Sequence, residues 1–252
     1  MFQIKKIFLF CVLCTVFNMS LFSKQEVIIY GDNSYPPYSY MEKGEAKGIY
    51  VDILTKVFDK MTNYKITIKM IPWKRGIYYI KRGNAFALFP PYYSKERLSW
   101  MVFSEPIIKE EIAVFGKEKK LQGKTKWPED FYGDTIGINS GFGLYTLGGK
   151  KFGDAVKNGK IKIDAMGGNR TNLKKLNKDR FDFYINDKLV DISLYPTIKR
   201  GIVIHTNDGH LGFTLQNKQY TFSKEFQDEF NTIINDMKSS GEIQKILEDY
   251  MK

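Results

Sequence analysis

Hydrophobic positions along this chain change period repeatedly, and the changes mark its elements. Val27 to Tyr30 is a short apolar run, after which Ile53, Leu54, Val57, Phe58 and Met61 recur at helical spacing. Ile66, Ile68 and Met70 alternate with Lys65, Thr67 and Lys69, as a half-buried strand does. A helix through Ile77 and Ile80 leads to a strand over Ala85 to Phe89. Ser94 can cap a helix carrying Arg97 and Trp100, and Ile112 to Phe115 returns as a strand. Repeated β-α-β predicts a largely parallel sheet covered by helices.

A second cycle follows the polar stretch Gly116 to Asp134. Thr135 to Asn139 predicts a strand, Ser140 to Gly143 a tight loop, Ile161 to Ile163 a strand and Thr171 to Asn177 a short helix. Phe181 to Ile185 is a further strand, Lys188 to Leu194 a helix, and Ile202 to His205 and Leu211 to Leu215 two more strands. Phe226, Phe230, Ile233, Ile234 and Met237 share one helical face, and Ile243, Ile246 and Leu247 follow a break at Gly241. Two α/β lobes with a cleft between them satisfy this order, and the sequence has no internal repeat.

The beginning of the chain stands apart. Lys5 and Lys6 precede an apolar run from Ile7 to Phe22 broken by Thr15, Asn18 and Ser20, and Ser23 could end a cleavage site. The run is shorter than a comfortable spanning helix, so residues 1–23 read as a secretory signal peptide, with an uncleaved anchor as the alternative. Both cysteines, Cys11 and Cys14, lie inside it. The mature chain is then expected to hold its fold by core packing, without disulfides, cysteine zinc sites or a cysteine nucleophile. His205 and His210 are not at metal-ligand helical spacing, and no Ser-His-Asp set is evident, so neither a metal nor a catalytic residue is expected.

The net charge of +11 drops to about +9 without the two leader lysines. A positive field favours anionic ligands, but the lysines are scattered and mixed with acids, as on a solvated surface; no nucleic acid is expected as a partner. The stretch Tyr35-Pro36-Pro37-Tyr38-Ser39-Tyr40 carries more chemistry. Its prolines fix φ and push each preceding residue toward extended geometry, so the loop presents aromatic rings at the end of a strand, where small-molecule sites sit in α/β sheets.

The markers along the chain are Asp32 with Tyr35-Pro36-Pro37-Tyr38, then Gly48 to Asp52, Ser94 to Arg97 and Phe103 to Pro106. Ile136 to Ile138 with Ser140-Gly141, Asp182 to Asp187, and a last helix ending near Tyr250 complete the series. In this order they resemble the bacterial extracellular solute-binding proteins of the polar amino acid type, the periplasmic binding proteins of ABC transporters. The resemblance covers nearly all of the mature chain. It implies a two-lobed α/β periplasmic binding protein-like fold with two hinge strands and a ligand cleft. Lobe 1 would take residues 24–115 and 213–252 and lobe 2 residues 116–212, with hinges near Ile112 to Gly116 and Leu211 to Leu215.

The resemblance also implies a site. Arg97 falls on the arginine that grips a ligand carboxylate, which suits a planar guanidinium with two parallel donors. Asp187 falls on the partner of a ligand ammonium; as a sequence feature it is equally a helix N-cap. Gly141 to Gly143 could present backbone N–H groups to an anion, with Phe142 and Gly143 standing where many relatives carry Ser or Thr. Phe89, Tyr92 and Tyr93, alongside Tyr35, Tyr38 and Trp73, would crowd a first-lobe wall suited to an apolar, aromatic or cationic group, with Tyr35, Trp73 and Tyr92 as the expected liners; Asp32 is a further ligand-binding candidate. Arg75 would add a second positive charge, or lie on the surface. The implied function is periplasmic capture of a small amino acid-like or carboxylate-bearing ligand by cleft closure for an ABC permease, by a monomer without cofactor or catalysis. The alternatives are an enzyme of the prephenate or arogenate dehydratase kind, which shares this fold, and a ligand-sensing adaptor for a membrane receptor.

Overall fold

The computed structural model describes residues 23–251; the expected leader lies outside them, apart from Ser23. The first lobe opens with β1 (Gln25–Asp32) and a small antiparallel sheet of β2 (Ser34–Tyr35), β3 (Ser39–Glu42) and β4 (Glu45–Lys47). Helix α1 (Ile49–Lys60), β5 (Tyr64–Ile71), α2 (Trp73–Lys81), β6 (Ala87–Phe89) and β7 (Met101–Phe103) follow. Its main sheet has the order β5-β1-β6-β13-β7, with β13 (Gly212–Thr214) arriving from the far end of the chain. β5, β1 and β6 are parallel, and β13 runs antiparallel to both of its neighbours.

The second lobe is built from β8 (Ile108–Lys117), the single turn α3 (Glu118–Leu121), β9 (Thr135–Ile138), α4 (Leu144–Lys157, kinked at Gly149), β10 (Lys162–Ala165), α5 (Asn169–Asn177), β11 (Phe183–Asp187) and β12 (Ile198–Gly209). Sheet order is β10-β9-β11-β8-β12, parallel over the first three strands and antiparallel across β8 and β12. Both sheets are therefore mixed, where β-α-β reading alone predicts mostly parallel ones. The antiparallel members are the strands by which the chain leaves the first lobe and comes back.

Each sheet is wrapped by apolar faces that follow its residue period. Along β8, Ile112 and Val114 join Phe131, Leu147 and Phe152 on one side, and Ala113 and Phe115 join Leu173, Leu176 and Tyr184 on the other. Such alternation of two buried faces is what a central strand needs. The closing helices α6 (Ser223–Ser239) and α7 (Glu242–Met251) put Phe226, Phe230, Ile234, Met237, Ile243 and Ile246 into the core of the first lobe, and the Tyr250 hydroxyl donates to Asp52 Oδ2 at 2.6 Å.

Two segments differ from the sequence expectations for local reasons. Arg97 to Ser99 form a 3-10 turn rather than a longer helix, with the Arg97 N–H held by Ser94 Oγ at 3.3 Å; Trp100 already leaves the helical region at φ −146°. Lys188 to Leu194 has no helix, because Asp187 and Asp191 each accept the N–H two residues on and so favour turns over helical bonding. Ile112 to Gly116 pairs entirely within the second sheet, against β11 and β12, although residues up to 115 were expected in lobe 1. Gly212 to Thr214 pairs in the first sheet, so the chain passes between sheets at 104–107 and 210–211.

Candidate functional site

β1 ends at Asp32, and the Ser34 N–H donates to Asp32 Oδ1 at 3.1 Å, which turns the chain into β2. Tyr35-Pro36-Pro37-Tyr38 then forms the tight turn into β3, with the Tyr38 N–H donating to the Tyr35 carbonyl at 2.8 Å. The two tyrosine rings stack at 5.1 Å. The double-proline loop thus holds its rings by geometry, as its composition suggests.

Trp73 opens α2 after Pro72, and Tyr92 follows β6. Arg97 is half-buried; its Nη1 donates to the Tyr92 carbonyl at 2.6 Å and its guanidinium lies 5.7 Å from the Trp73 ring centre. Burial pushes its pKa down to about 10, which still leaves the group charged at neutral pH. Asp32, 5 % exposed, is pushed up to about 7 by burial, offset in part by the Ser34 N–H.

Across from this wall the second lobe supplies Phe142, Gly143, Thr146 and Leu147, from the loop after β9 and the first turn of α4. Together with Asp32, Tyr35, Trp73, Pro90, Tyr92 and Arg97 they enclose a slot. As closed here its free volume is about 20 Å³, close to what a single water needs. Asp32, Trp73 and Phe142 also line an adjoining cavity of about 250 Å³ that runs out past Ser34, Lys74, Asn139 and Gly168. The slot therefore carries one cation and one carboxyl on an otherwise mostly aromatic and apolar lining.

Several contacts join the lobes beside the slot. Tyr35 and Phe142 meet edge to face at 5.5 Å. Asn169 Nδ2 donates to the Pro36 carbonyl at 3.0 Å. Gly168 lies so close to Ser34 that a Cβ on it would stand 2.8 Å from the Ser34 hydroxyl. Asn169 is itself the node of a buried amide network: its Oδ1 accepts from Asn139 and Asn186 Nδ2, both at 2.7 Å, and from the Tyr184 hydroxyl at 3.1 Å.

Of the residues expected to bind, Asp32, Tyr35, Trp73, Tyr92, Arg97 and Phe142 line the slot. Others do not. Arg75 is exposed on α2 because the helix turns its face outward there, and Gly141 is exposed beside Lys74. Phe89 is fully buried, since β6 is a central strand whose residues face core on both sides. Tyr38 stacks behind Tyr35. Asp187 is 0 % exposed: its Oδ1 accepts the Leu189 N–H at 2.7 Å, while Oδ2 is buried without a well-formed hydrogen bond and faces the Tyr38 hydroxyl. Burial raises its pKa.

Glu110 was not anticipated. It is 1 % exposed on β8, and its carboxylate accepts the hydroxyls of Tyr35 and Tyr92 at 2.6 Å each, with Tyr50 as a third donor. Gly209 makes room for Tyr50, since any Cβ there would collide with the Tyr50 hydroxyl. A signal exists in the sequence: Glu110 falls in phase with the buried Ile108 and Ile112, so strand alternation alone turns it inward.

Two mixed sheets joined by a paired strand crossing, with a narrow slot between them, define a two-lobed binding-protein architecture. The profile of the bacterial extracellular solute-binding proteins, family 3, matches residues 27–252, and the chain belongs to that family. No curated protein matches the sequence. Among solved structures, it is similar to the arginine-, lysine-, histidine-binding protein ArtJ of Geobacillus stearothermophilus, at 19% identity and TM-score 0.72 over 90% of this chain and 95% of that one. A histidine kinase sensor domain with similarity to periplasmic binding proteins is alike at 13% identity and TM-score 0.74, over 90% and 96%. An ancestral amino acid-binding protein, a precursor of cyclohexadienyl dehydratase, is alike at 19% and 0.71, over 90% and 96%. At these identities the likeness is one of fold. Among the described residues no helix is long and apolar enough to cross a membrane.

Proposed function

We propose that this protein captures a small carboxylate-bearing or amino acid-like solute outside the cytoplasmic membrane and presents it, in the closed form, to an ABC permease. The observation that carries the reading is the position of Arg97: a charged guanidinium on the wall of an aromatic slot, with one N–H spent on the Tyr92 carbonyl and its remaining donors available for a carboxylate. Asp32 is the slot's carboxyl and the group that would meet a ligand cation, beside the faces of Trp73 and Tyr35. Family membership supports solute binding as such.

Binding is capture without chemistry. In the open form a ligand meets Asp32, Trp73 and Arg97 on the first lobe. Closure about the two passages at 104–107 and 210–211 brings Phe142, Thr146 and Leu147 over it and makes the Asn169 to Pro36 hydrogen bond. A thermal-shift panel of amino acids, small carboxylates, amines and short peptides tests this. At about 100 times its Kd a ligand should stabilise by about 2.7 kcal/mol, and Arg97→Ala should abolish the shift for carboxylates. A carboxylate hit that survives Arg97→Ala would sink the clamp.

One observation favours a second reading. A carboxyl pushed up to about 7 in a closed slot that also carries an arginine is also what acid–base catalysis uses, so Asp32 would serve a dehydratase-like enzyme. Turnover of prephenate by the purified protein, lost in Asp32→Asn, would establish it in place of capture alone.

A further inference from the structure

Capture leaves one conspicuous group unused. Glu110 sits near the start of β8, where the chain has just left the first lobe, and it is sealed from solvent. A buried carboxyl is tolerated only when its oxygens are satisfied. Here the first lobe satisfies them, through Tyr35 from β2, Tyr50 from α1 and Tyr92 from the segment after β6. Two of those donors, Tyr35 and Tyr92, are walls of the slot. Their hydroxyls are turned back onto Glu110, so the ring orientation that a ligand meets is set from behind.

The second lobe adds Asp187, on β11, which pairs with Ile112 two residues along β8 from Glu110 and whose next residue, Lys188, donates its N–H to the Glu111 carbonyl at 2.7 Å; a second carboxyl placed there raises the pKa of Glu110. The groups facing this pair can be named element by element. Tyr35, Tyr38, Tyr50 and Tyr92 come from the first lobe. Lys188 is the cation acting on Asp187, but it is only half-buried and its ammonium is paired with Glu111. On β12 the neighbour opposite Glu110 is the uncharged Asn207. Two carboxylates this well buried, with no fully buried cation beside them among the described residues, do not both ionise while the lobes are shut.

We propose that Glu110 is a positioning residue, fixing the Tyr35 and Tyr92 walls of the slot, and that the seam it forms with Asp187 takes up a proton as the lobes close. This rests on the capture reading for its purpose, though not for its test. Burial raises the pKa of both carboxyls, in agreement with the geometry. Opening the cleft would wet Asp187 and return the pair toward ordinary carboxylate behaviour. Protons therefore favour the closed form, and raising the pH favours the open one.

Small-angle X-ray scattering of the purified, ligand-free protein between about pH 5 and pH 9 reads this directly. The radius of gyration should increase through a single titration as the pH rises. Glu110→Gln keeps an acceptor for the tyrosines without a titrating charge, and should remove that transition. Tyr50→Phe takes away one donor to the charged form without touching the slot lining, and should move the midpoint to higher pH. It serves equally if the Gln variant does not fold. A radius that stays constant across the range in the wild-type protein overturns the proposal, as does an unchanged transition in Glu110→Gln or Tyr50→Phe. A ligand panel with no hits would defeat the capture reading and leave the scattering result standing.

Discussion

Asp32 and Arg97 show at the residue scale how burial divides two charges in one slot. Arg97 is held down only to about 10 and stays charged, whereas Asp32 is held up to about 7 and is largely neutral below that. The sign for stability follows. A carboxyl whose folded pKa exceeds its unfolded value of 3.8 stabilises most below about pH 4, and that contribution is lost as the pH rises through about 7. Asp32→Asn should therefore flatten the fall in melting temperature between about pH 4 and 8, read by thermal melts at several pH values. Equal slopes in the two proteins would mean that Asp32 is ionised in the folded state. Arg97 and the slot aromatics were legible in the sequence because the motif and the double-proline loop are local. Asp187 was legible as a position but not as an accessible group, since its burial depends on rings of the other lobe. Arg75 and Phe89 show the same limit from the other side: their residue types suit a site, and only the facing of a helix and a central strand excludes them.

At the scale of elements, the second lobe rests on α4 laid against its sheet. Phe152 stacks on Trp127 at 4.9 Å and is fully buried in the cluster with Leu147, Phe131 and Phe183. Phe152→Ala should cost about 3–5 kcal/mol by removing that ring from a closed core, measurable by denaturant unfolding. Because α4 also carries Thr146 and Leu147 into the slot, the same variant should weaken ligand binding, unlike core truncations confined to α6. Asn169, at the start of α5, joins an element to the other lobe. Asn169→Ala takes the acceptor from the buried Asn139 Nδ2, while Tyr184 and Asn186 keep their bonds to Asn139 and to each other, and should lower stability by about 1–3 kcal/mol. It should also reduce ligand affinity, since it removes the bond from Asn169 to the Pro36 carbonyl that joins the lobes; an affinity unchanged by titration calorimetry would assign Asn169 to folding alone. The amphipathic helices and alternating strands were legible from period. The turn at Lys188 was not, because two aspartates compete there for the backbone N–H groups that a helix would use.

At the scale of the whole molecule, two features organise the fold. The chain crosses from one sheet to the other and back, and the last two helices return to the first core. The two-lobe plan was legible from two cycles of β-α-β, and the return of α6 and α7 came with the family resemblance. The position of the crossing was not: β8 is a continuous apolar strand whose pairing partners are far away in sequence, so its sheet cannot be read from its own residues. The ion pairs add little to this plan, being mostly surface Lys–Asp and Lys–Glu contacts that salt screens. Raising ionic strength should accordingly leave the melting temperature within a few degrees. The closed arrangement rests instead on a few contacts around the slot, and on the proposed function its purpose is to hold a ligand there. The most direct measurement is a crystal structure with the strongest carboxylate from the thermal-shift panel. The predicted result is a closed cleft with the ligand carboxylate about 2.7–2.9 Å from the Arg97 guanidinium, between Trp73 and Phe142. A ligand bound outside the slot, or inside it with its carboxylate away from Arg97, would contradict the account.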